Sequence, residues 1–244
     1  MLQRFLGGVR RRFSTGASFN ILFENDSCVV LSRPVTQFQQ NQSLLGCKKT
    51  GEAAIIDAGG RPSPFIEAAE RKGLEVWHLL QTHGHIDHVS GLKETKELLP
   101  AALLYLHPDD LPVYDSVSEQ SRMFGVDCDL PLPDIDKHLE DGMTITVGEI
   151  DLEVVHTPGH SPGHVIFVNR QHQFVIGGDL LFEKSIGRTD LPLCDSSAME
   201  NSIRKLYNLG LSDDCLVFPG HMSMTTLGEE RKNNQFVQMW VRDE

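Results

Sequence analysis

The sequence predicts an α+β fold in which two β-sheets pack together and helices cover their outer faces. Three observations lead to this prediction. Apolar strand patterns form meanders in both halves of the chain, and helix patterns are interspersed among them. In addition, 244 residues with 40% hydrophobic content suffice for one large domain with a sizeable core.

The first half of the chain mixes strand and helix signals. Strand patterns fall at residues 19–26, 27–33, 52–60, 74–83 and 102–110. A helix is predicted at 63–72, with Ser63 as its cap, Pro64 in its first turn and Gly73 just past its end. A second helix is predicted at 89–99, where apolar residues fall on one face.

The second half repeats this mixture. Strand patterns fall at residues 144–147, 150–158, 164–170, 174–182 and 215–221. Helices are predicted at 197–210 and from about 225 to 240. Strand meanders with helices between them favour two packed sheets over a single open sheet.

The first 18 residues differ in composition from the rest of the chain. They contain Arg4 and three arginines at 10–12, whereas the first acidic residue is Glu24. This composition is typical of a transit peptide, and the letters RRFST resemble a mitochondrial processing site that would leave a chain starting near Ser14. We predict a transit peptide at 1–18, a domain at 19–244 and a location in the mitochondrial matrix. A basic N-terminus that stays attached, with a plastid or cytosolic location, is the alternative.

The charge of the remaining chain limits its partners. Without those four arginines it has 18 basic and 34 acidic residues, a net charge of −16. Such a body repels a phosphate backbone, and no Lys/Arg run follows residue 12. No apolar run approaches the roughly 18 residues that a membrane span needs. We therefore expect a soluble protein that binds neither nucleic acid nor membrane; the oligomeric state is not indicated.

The five cysteines do not describe a disulfide framework. They are odd in number, widely spaced and without a CxxC pair. We expect buried, reduced thiols, which fits an organelle matrix or the cytosol.

Residues 82–91, THGHIDHVSG, contain the strongest signal for chemistry. They crowd three histidines and an aspartate into six positions at the end of an apolar run, namely His83, His85, Asp87 and His88. These groups would repel and desolvate one another unless a cation lay between them. A polar loop whose histidines only form hydrogen bonds is the alternative. The stretch predicts a metal site.

Three later stretches place a possible ligand at the end of an apolar strand. They are TPGHSPGH with His160, GGDLLF with Asp179 and PGH with His221. Strand ends followed by glycine-containing loops present reactive groups, because the sheet fixes the backbone and the loop leaves room for a ligand.

These four stretches, in this order, resemble the metallo-β-lactamase superfamily from about residue 19 onward. The resemblance implies an αββα four-layer sandwich with a dinuclear metal site along one edge of the sheets. Carried over position by position, the resemblance implies that the first metal is bound by His83, His85 and His160. The second metal would be bound by Asp87, His88 and His221, and Asp179 would bridge the two.

The donor set agrees with this implication. Five imidazoles and two carboxylates suit zinc, with iron or manganese as alternatives. Two such ions sharing a hydroxide lower the pKa of its parent water from about 16 toward 7, and they also stabilise an oxyanion. We expect Asp87 to orient that hydroxide, and the reaction implied is hydrolysis.

The substrate is suggested by two stretches, EKSIGRTDLP at 183–192 and TTLGEERKNNQF at 225–236. Both resemble the glyoxalase II-like branch, hydroxyacylglutathione hydrolases and their compact relatives. Its members cleave thioesters such as S-lactoylglutathione to a hydroxy acid and a free thiol. Glyoxalase II proper adds a helical C-terminal domain for glutathione, and the 23 residues after His221 are too few for it. We expect the compact form, with the thiol carrier left open.

Two other functions fit the same motifs. Mitochondrial persulfide dioxygenases share the GRTD segment and use one iron, held here by His83, His160 and Asp179. They resemble a PAH form at the last ligand, whereas this chain has PGH. A non-catalytic metal-binding scaffold is the third alternative, because binding and turnover are separable.

Supporting residues can also be proposed. Arg188 is the candidate for the substrate's carboxylates, although it suits a surface salt bridge equally well. Asp57 and His164 are candidates for orienting a metal ligand, and a simple turn aspartate is the alternative for Asp57. The remaining histidines are expected to be structural or on the surface: His78, His107, His138, His156 and His172.

Overall fold

The computed structural model describes residues 18–241. The predicted transit peptide lies outside these residues apart from Ser18, so that assignment stays a prediction. The first sheet has seven strands, paired in chain order: β1 (Asn20–Glu24), β2 (Cys28–Val35), β3 (Gln40–Cys47), β4 (Glu52–Ile56), β5 (Glu75–Leu80), β6 (Leu103–Leu106) and β7 (Lys137–His138). The pairs from β1 to β4 are antiparallel, and those from β4 to β7 are parallel.

The later strands form a second sheet and a small hairpin. They are β8 (Thr144–Val147), β9 (Ile150–His156), β10 (Val165–Asn169), β11 (Phe174–Gly178), β12 (Leu181–Phe182), β13 (Ser185–Ile186), β14 (Leu216–Pro219) and β15 (Thr225–Thr226). The second sheet has the order β15-β14-β11-β10-β9-β8, and β12 pairs with β13 in the hairpin. Within the second sheet β11 and β14 are parallel, and the other neighbours are antiparallel.

Eight α-helices and one 3₁₀ turn (Pro108–Asp110) are found among residues 18–241. The helices are α1 (Ser63–Arg71), α2 (Ile86–Val89), α3 (Leu92–Leu98), α4 (Leu111–Asp115), α5 (Val117–Phe124), α6 (Ser196–Tyr207), α7 (Leu227–Asn233) and α8 (Gln235–Trp240). None of the helices within this part of the chain has the length and apolar character needed to cross a bilayer.

The strands alternate between two buried layers, as the period of two requires. On β10, Val165 and Phe167 face the other sheet, whereas Ile166 and Val168 pack in the cluster that contains Ile203 of α6. The same alternation on β2 and β4 joins the first sheet to a cluster with α1 to α5. Helices therefore cover both outer faces of two stacked sheets, and the predicted αββα sandwich is confirmed.

Several predicted elements differ in detail. The helix expected at 89–99 begins only at Leu92, as α3, and α2 ends at Val89; between them the Gly91 N–H donates to the Ala58 carbonyl at 2.9 Å rather than within a helix. The expected C-terminal helix begins with β15 and is divided into α7 and α8. In α1, Ser63 is the first helical residue and Pro62 occupies the cap position. The sequence patterns missed β3, α4 and α5 entirely.

The cysteines are unpaired in the described residues, where all five lie. Cys28, Cys47 and Cys215 are buried, whereas Cys128 and Cys194 are only partly so. The expectation of buried thiols therefore fails for these last two.

Candidate metal centre

The seven predicted ligands come together at the ends of strands from both sheets. His83 to His88 follow β5, and His160 follows β9. Asp179 comes directly after β11, and His221 comes shortly after β14. Because β11 and β14 are parallel neighbours, with Gly178 opposite Pro219, the residues that follow them lie at the same edge. Both sheets contribute side chains to one site.

The first three predicted ligands form one compact group. Nitrogen atoms of His83, His85 and His160 all lie within 4.8 Å of one another. His85 Nδ1 is 2.9 Å from His160 Nε2. All three side chains are buried.

The other three predicted ligands form a neighbouring group, Asp87, His88 and His221. Their ligand atoms also lie within 4.8 Å of one another. Asp87 Oδ2 is 3.1 Å from His221 Nε2 and 3.8 Å from His88 Nε2. His88 is fully buried, whereas 20% of the His221 side chain is exposed. This group therefore reaches from the core to the surface of the site.

Asp179 lies between the two groups. Its Oδ2 is 3.4 Å from His160 Nε2 and 3.5 Å from His221 Nε2, and its Oδ1 is 3.4 Å from His88 Nε2. One carboxylate thus faces imidazoles of both groups, which is the position that a bridging ligand needs.

Unpaired buried atoms show that these residues fit a metal pair. His83 Nε2, His88 Nε2 and Asp179 Oδ1 are buried without a hydrogen-bond partner. Such atoms are costly unless another partner is available. Imidazole nitrogen and carboxylate oxygen are both good ligands for zinc, iron and manganese. The donor set therefore suits these ions, and it does not choose among them.

Burial and mutual repulsion keep two imidazoles of the first group neutral. Burial, with repulsion from the neighbouring imidazoles, lowers the pKa of His83 well below its usual value and that of His85 to about 3. Metal ions bind the neutral form of imidazole. His83 and His85 are thus ready to bind a cation without first losing protons.

In the second group the neighbouring carboxylates favour the protonated form of the imidazoles. Burial opposes charge on His88 and His221, but the carboxylates beside them outweigh burial and raise the pKa of both imidazoles. Burial likewise raises the pKa of Asp179 and Asp87, but neighbouring imidazoles, His88 foremost, hold it below the usual value. In the metal-free protein, protons on His88 and His221 therefore balance the carboxylates, and a bound cation replaces them.

Asp57 supports the loop that carries the first motif. It accepts hydrogen bonds from the Thr82 N–H at 2.7 Å and from the Thr82 hydroxyl at 2.8 Å. Its Oδ2 is also 3.0 Å from His88 Nδ1. Thr82 Oγ1 in turn lies 3.0 Å from His83 Nδ1. Asp57 therefore contacts one ligand directly and another through Thr82, and its role as an orienting residue stays a proposal.

Backbone carbonyls fix the orientation of two other imidazoles. His160 Nδ1 lies 2.8 Å from the Arg188 carbonyl, and His221 Nδ1 lies 3.1 Å from the Phe38 carbonyl. A carbonyl only accepts, so Nδ1 of each ring carries a proton, and Nε2 of each ring faces Asp179.

His164 holds the backbone of the bridging residue. Its Nε2 accepts a hydrogen bond of 2.9 Å from the Asp179 N–H, so its Nδ1 carries the proton and points to Thr157 Oγ1 at 2.9 Å. Burial lowers the pKa of His164 well below its usual value, which maintains this neutral state. The contact is to a ligand's backbone rather than to its side chain.

Asp110 is a buried residue of the site that the sequence analysis missed. Its carboxylate accepts hydrogen bonds from the N–H groups of Gly84 and Gly163, the latter at 2.7 Å. A Cβ at Gly163 would lie 2.4 Å from the Asp110 nitrogen, so the approach requires glycine. Asp110 follows β6, and its position after an apolar strand is the signal that could have found it.

Arg188 forms a salt bridge at the surface and also lies at the cavity. Its guanidinium donates to both oxygens of Asp190, at 2.6 and 2.9 Å, and 55% of its side chain is exposed. It also lines the cavity over the metal centre. A role in substrate binding stays a proposal.

Two other histidines form a separate group. The rings of His107 and His156 stack with centroids 4.2 Å apart, and Asp109 lies near them. Neither is among the seven predicted ligands.

A cavity of about 560 Å³ opens over the site. Five of the predicted ligands line it, His85, Asp87, His160, Asp179 and His221. His83 and His88 are fully buried and do not line it. Phe38, Phe124, Phe182, Ile186 and Leu191 form much of its wall, and Gln39, Gln120, Ser185 and Arg188 are its polar lining residues besides the ligands.

The fold and the site define a class of protein, the metal-dependent enzymes built on an αββα sandwich. The sequence profile of the metallo-β-lactamase superfamily matches residues 35–221, and the chain belongs to that superfamily. The family resemblance predicted from the motifs is therefore confirmed.

Three known proteins are similar over most of this chain. Hydroxyacylglutathione hydrolase GloC of Haemophilus influenzae is 38% identical over 84% of this chain and 95% of its own length. Mitochondrial persulfide dioxygenase ETHE1 of Homo sapiens is 32% identical over 78% of this chain and 68% of its own length. The crystal structure of TTHA1623 in a di-iron-bound form is 36% identical, has a TM-score of 0.75, and is matched over 84% of this chain and 98% of the other.

Proposed function

We propose that this protein is a metal-dependent hydrolase that cleaves a thioester of glutathione or a related thiol to an acid and a free thiol. The observation that carries the proposal is the pair of adjoining three-residue groups with Asp179 between them, which provides ligands for two cations. The similarity to a hydroxyacylglutathione hydrolase over nearly the whole of its length supports the thioester as substrate.

The seven residues would hold two divalent ions in this proposal. His83, His85 and His160 serve one ion, Asp87, His88 and His221 the other, and Asp179 both. When bound, the metal pair supplies a Lewis acid for the carbonyl oxygen and lowers the pKa of water toward neutrality. We propose zinc as the native metal, with iron or manganese as alternatives.

Asp87 is placed to orient the attacking water. It lines the cavity, and its Oδ2 lies 3.1 Å from His221 Nε2. The neighbouring imidazoles keep its pKa low despite burial, so it remains an acceptor at neutral pH. A carboxylate held in this way would accept a hydrogen bond from the water and orient its lone pair toward the substrate carbon.

The apolar wall of the cavity contributes to the chemistry. Phe38 and Phe182 border the ligands, and Phe182 lies with its ring centroid 5.9 Å from that of His221. Exclusion of bulk water strengthens the interaction of the bound carbonyl with charges in the site. Arg188, at the edge of the same cavity, is placed to pair with a carboxylate of the thiol carrier.

A mono-iron persulfide dioxygenase is the second candidate function. His83, His160 and Asp179 are near one another, and the similarity to ETHE1 favours it. That reaction needs no contribution from Asp87, His88 and His221. These three residues nevertheless form a complete group with an unpaired buried nitrogen, which favours the dinuclear hydrolase.

One experiment separates these functions. The chain from residue 19 is purified without added metal, its metal content per chain is counted, and S-lactoylglutathione hydrolysis is assayed beside oxygen uptake with glutathione persulfide. Two metals with thioester cleavage support the hydrolase. One iron with oxygen consumption supports the dioxygenase. Metal without either activity supports a non-catalytic scaffold.

We also propose that the protein works in the mitochondrial matrix, on the basis of the arginine-rich leader. Fluorescent fusions of the full chain and of the chain from residue 19 test this. Mitochondrial import of the first and not of the second is the expected result, and the same distribution for both would contradict it.

A further inference from the structure

A second apolar cavity adjoins the metal centre. Its volume is about 240 Å³, and it shares four lining residues with the main cavity, His85, Gln120, Phe124 and Leu191. His85 lies at the junction and is one of the proposed ligands of the first metal. The smaller cavity is therefore a side branch that begins beside the reacting centre, and we call it the side pocket.

The wall of the side pocket is mainly aliphatic. Beyond the shared residues it consists of Val113, Met123, Pro192 and Leu193, together with Ser116 and Glu119. Leu193 keeps 57% of its surface exposed and has a φ of 68°, in a region that side chains other than Gly, Asn and Asp rarely adopt. A strained backbone thus places an apolar side chain at the edge of the pocket.

The polar side chains of the pocket already have partners. Gln120 Oε1 accepts from the Ile86 N–H at 2.9 Å, and its Nε2 donates to the Val113 carbonyl at 2.8 Å. The Ser116 hydroxyl donates to that same carbonyl at 2.8 Å. Glu119 is paired with Arg122 at 3.1 Å. A hydroxyl or carboxylate of a ligand would have to compete with these bonds.

The positively charged part of the main cavity lies outside the side pocket. Arg188 is the one Lys or Arg side chain among the described residues that line either cavity. It does not line the side pocket, which has no cation of its own among residues 18–241. The part of the main cavity near Arg188 therefore suits a thiol carrier with carboxylates, and the side pocket suits the acyl group of the thioester.

We propose that the side pocket binds an apolar acyl group, so that the substrate is an alkanoyl or arylacyl thioester rather than a small hydroxyacyl thioester. This inference rests on the proposed thioester hydrolysis and specifies its acyl group. The carbonyl lies at the metals, the acyl chain extends past His85 between Phe124 and Leu191, and Leu193 covers its end.

Binding of non-hydrolysable analogues tests the pocket independently of turnover. The metal-loaded protein is titrated by calorimetry with S-methylglutathione and S-hexylglutathione. The hexyl compound is expected to bind at least about tenfold more tightly, since each buried methylene contributes roughly fourfold in affinity. Equal dissociation constants for the two compounds would overturn the proposal.

Two variants locate the effect. Leu193→Asn removes the apolar edge and keeps a residue that tolerates the positive φ, and Met123→Asp places a charge at the rim. Both should reduce the hexyl preference to less than about fourfold, the contribution of one methylene. Met239→Asp is the matched control, because Met239 on α8 is 61% exposed, as Met123 on α5 is 65% exposed, and lines neither cavity. An unchanged preference in both variants would place the hexyl chain elsewhere and contradict the proposal.

Hydrolysis rates with S-hexanoylglutathione and S-lactoylglutathione test the acyl preference separately from the proposed thioester hydrolysis. A higher kcat/KM for the hexanoyl thioester supports the inference. Hydrolysis of both at equal kcat/KM overturns the acyl preference and leaves the proposed function intact. A hexyl preference in binding, with no hydrolysis of either thioester, supports the pocket and contradicts the proposed function.

Discussion

The Asp110 carboxylate accepts a hydrogen bond of 2.7 Å from the Gly163 N–H, and a second one comes from the N–H of Gly84. Gly84 belongs to the loop after β5, and Gly163 belongs to the loop after β9. One buried side chain therefore joins the two loops that carry His83, His85 and His160. Burial raises the pKa of Asp110, and these bonds counteract that rise only in part.

Replacing Asp110 by Asn should loosen this connection. An amide offers one acceptor oxygen in place of two, so one loop N–H would face an NH₂ group. We expect a loss of about 1–3 kcal/mol in the free energy of unfolding and weaker metal binding. Urea denaturation and metal content measure both. Asp109→Asn is the control, because its side chain is 61% exposed, and equal effects of the two substitutions would contradict the bridging role.

Asp57→Asn tests the support beneath the first motif. The amide keeps an acceptor for the Thr82 N–H, but it loses the negative charge beside His88 Nδ1. Asn also tolerates the φ of 54° at this position. We expect metal affinity to fall about 10- to 100-fold, measured by competition with a chelator. Unchanged affinity would indicate a turn aspartate without an orienting role.

His221→Gln separates one metal from two. His221 belongs to the second group alone, and its side chain is 20% exposed, so its replacement disturbs the core less than replacement of the fully buried His88. A dinuclear hydrolase should lose about one metal per chain and at least roughly 100-fold in kcat. The exposed His138 provides the control substitution, His138→Gln. Retention of most of the activity would instead support a centre built from His83, His160 and Asp179.

Removal of metal by a chelator should leave the protein folded but less stable. The three buried apolar clusters do not include any of the seven ligands. A metal present at about 100 times its dissociation constant contributes roughly 2.7 kcal/mol, which corresponds to a fall in Tm of about 5–10 °C for a chain of this size. Far-ultraviolet circular dichroism and a thermal scan with and without chelator test this. Loss of secondary structure at room temperature would show that the metal is needed for folding.

Asp136 gives a pH dependence away from the metal centre. Burial raises the pKa of its carboxyl, but the Lys96 ammonium at 2.6 Å and the Leu104 N–H at 2.9 Å outweigh burial and lower it. The stabilisation is therefore present above the unfolded pKa, near 4, and is lost as the pH falls through the lower folded pKa. Asp136→Asn should cost about 0.5 kcal/mol at pH 7, because solvent screens the pair. The difference from the wild type should shrink below about pH 4 in urea titrations, and a constant difference would contradict this account.

Most core strands could be predicted from the sequence because each contains a short run of apolar residues. The uninterrupted apolar run from Val165 to Val168 predicts a strand, and the structure places those side chains in two buried layers. β3 was missed because it begins with Gln40, Asn41 and Gln42, which do not resemble a buried strand. Gln42 is nevertheless buried, where its Oε1 accepts a hydrogen bond from the Gly60 N–H.

The ligands of the candidate site could be predicted from the sequence because they share one local signal, a position at or after the end of an apolar strand. All seven predicted ligands come at or after the end of an apolar strand, and the structure brings them together. The walls of the cavities have no such signal. Phe38, Phe124 and Leu193 come from loops and a helix end that the tertiary fold alone makes neighbours.

The division of the ligands between two sheets has a consequence for biosynthesis. An early fragment of the polypeptide carries His83 to His88 but lacks the partners supplied by strands β9, β11 and β14. A partly folded chain therefore offers only part of the proposed donor set, and the full set forms when the second sheet packs on the first. If the proposed metal pair is bound, metal stoichiometry would report whether both sheets have assembled.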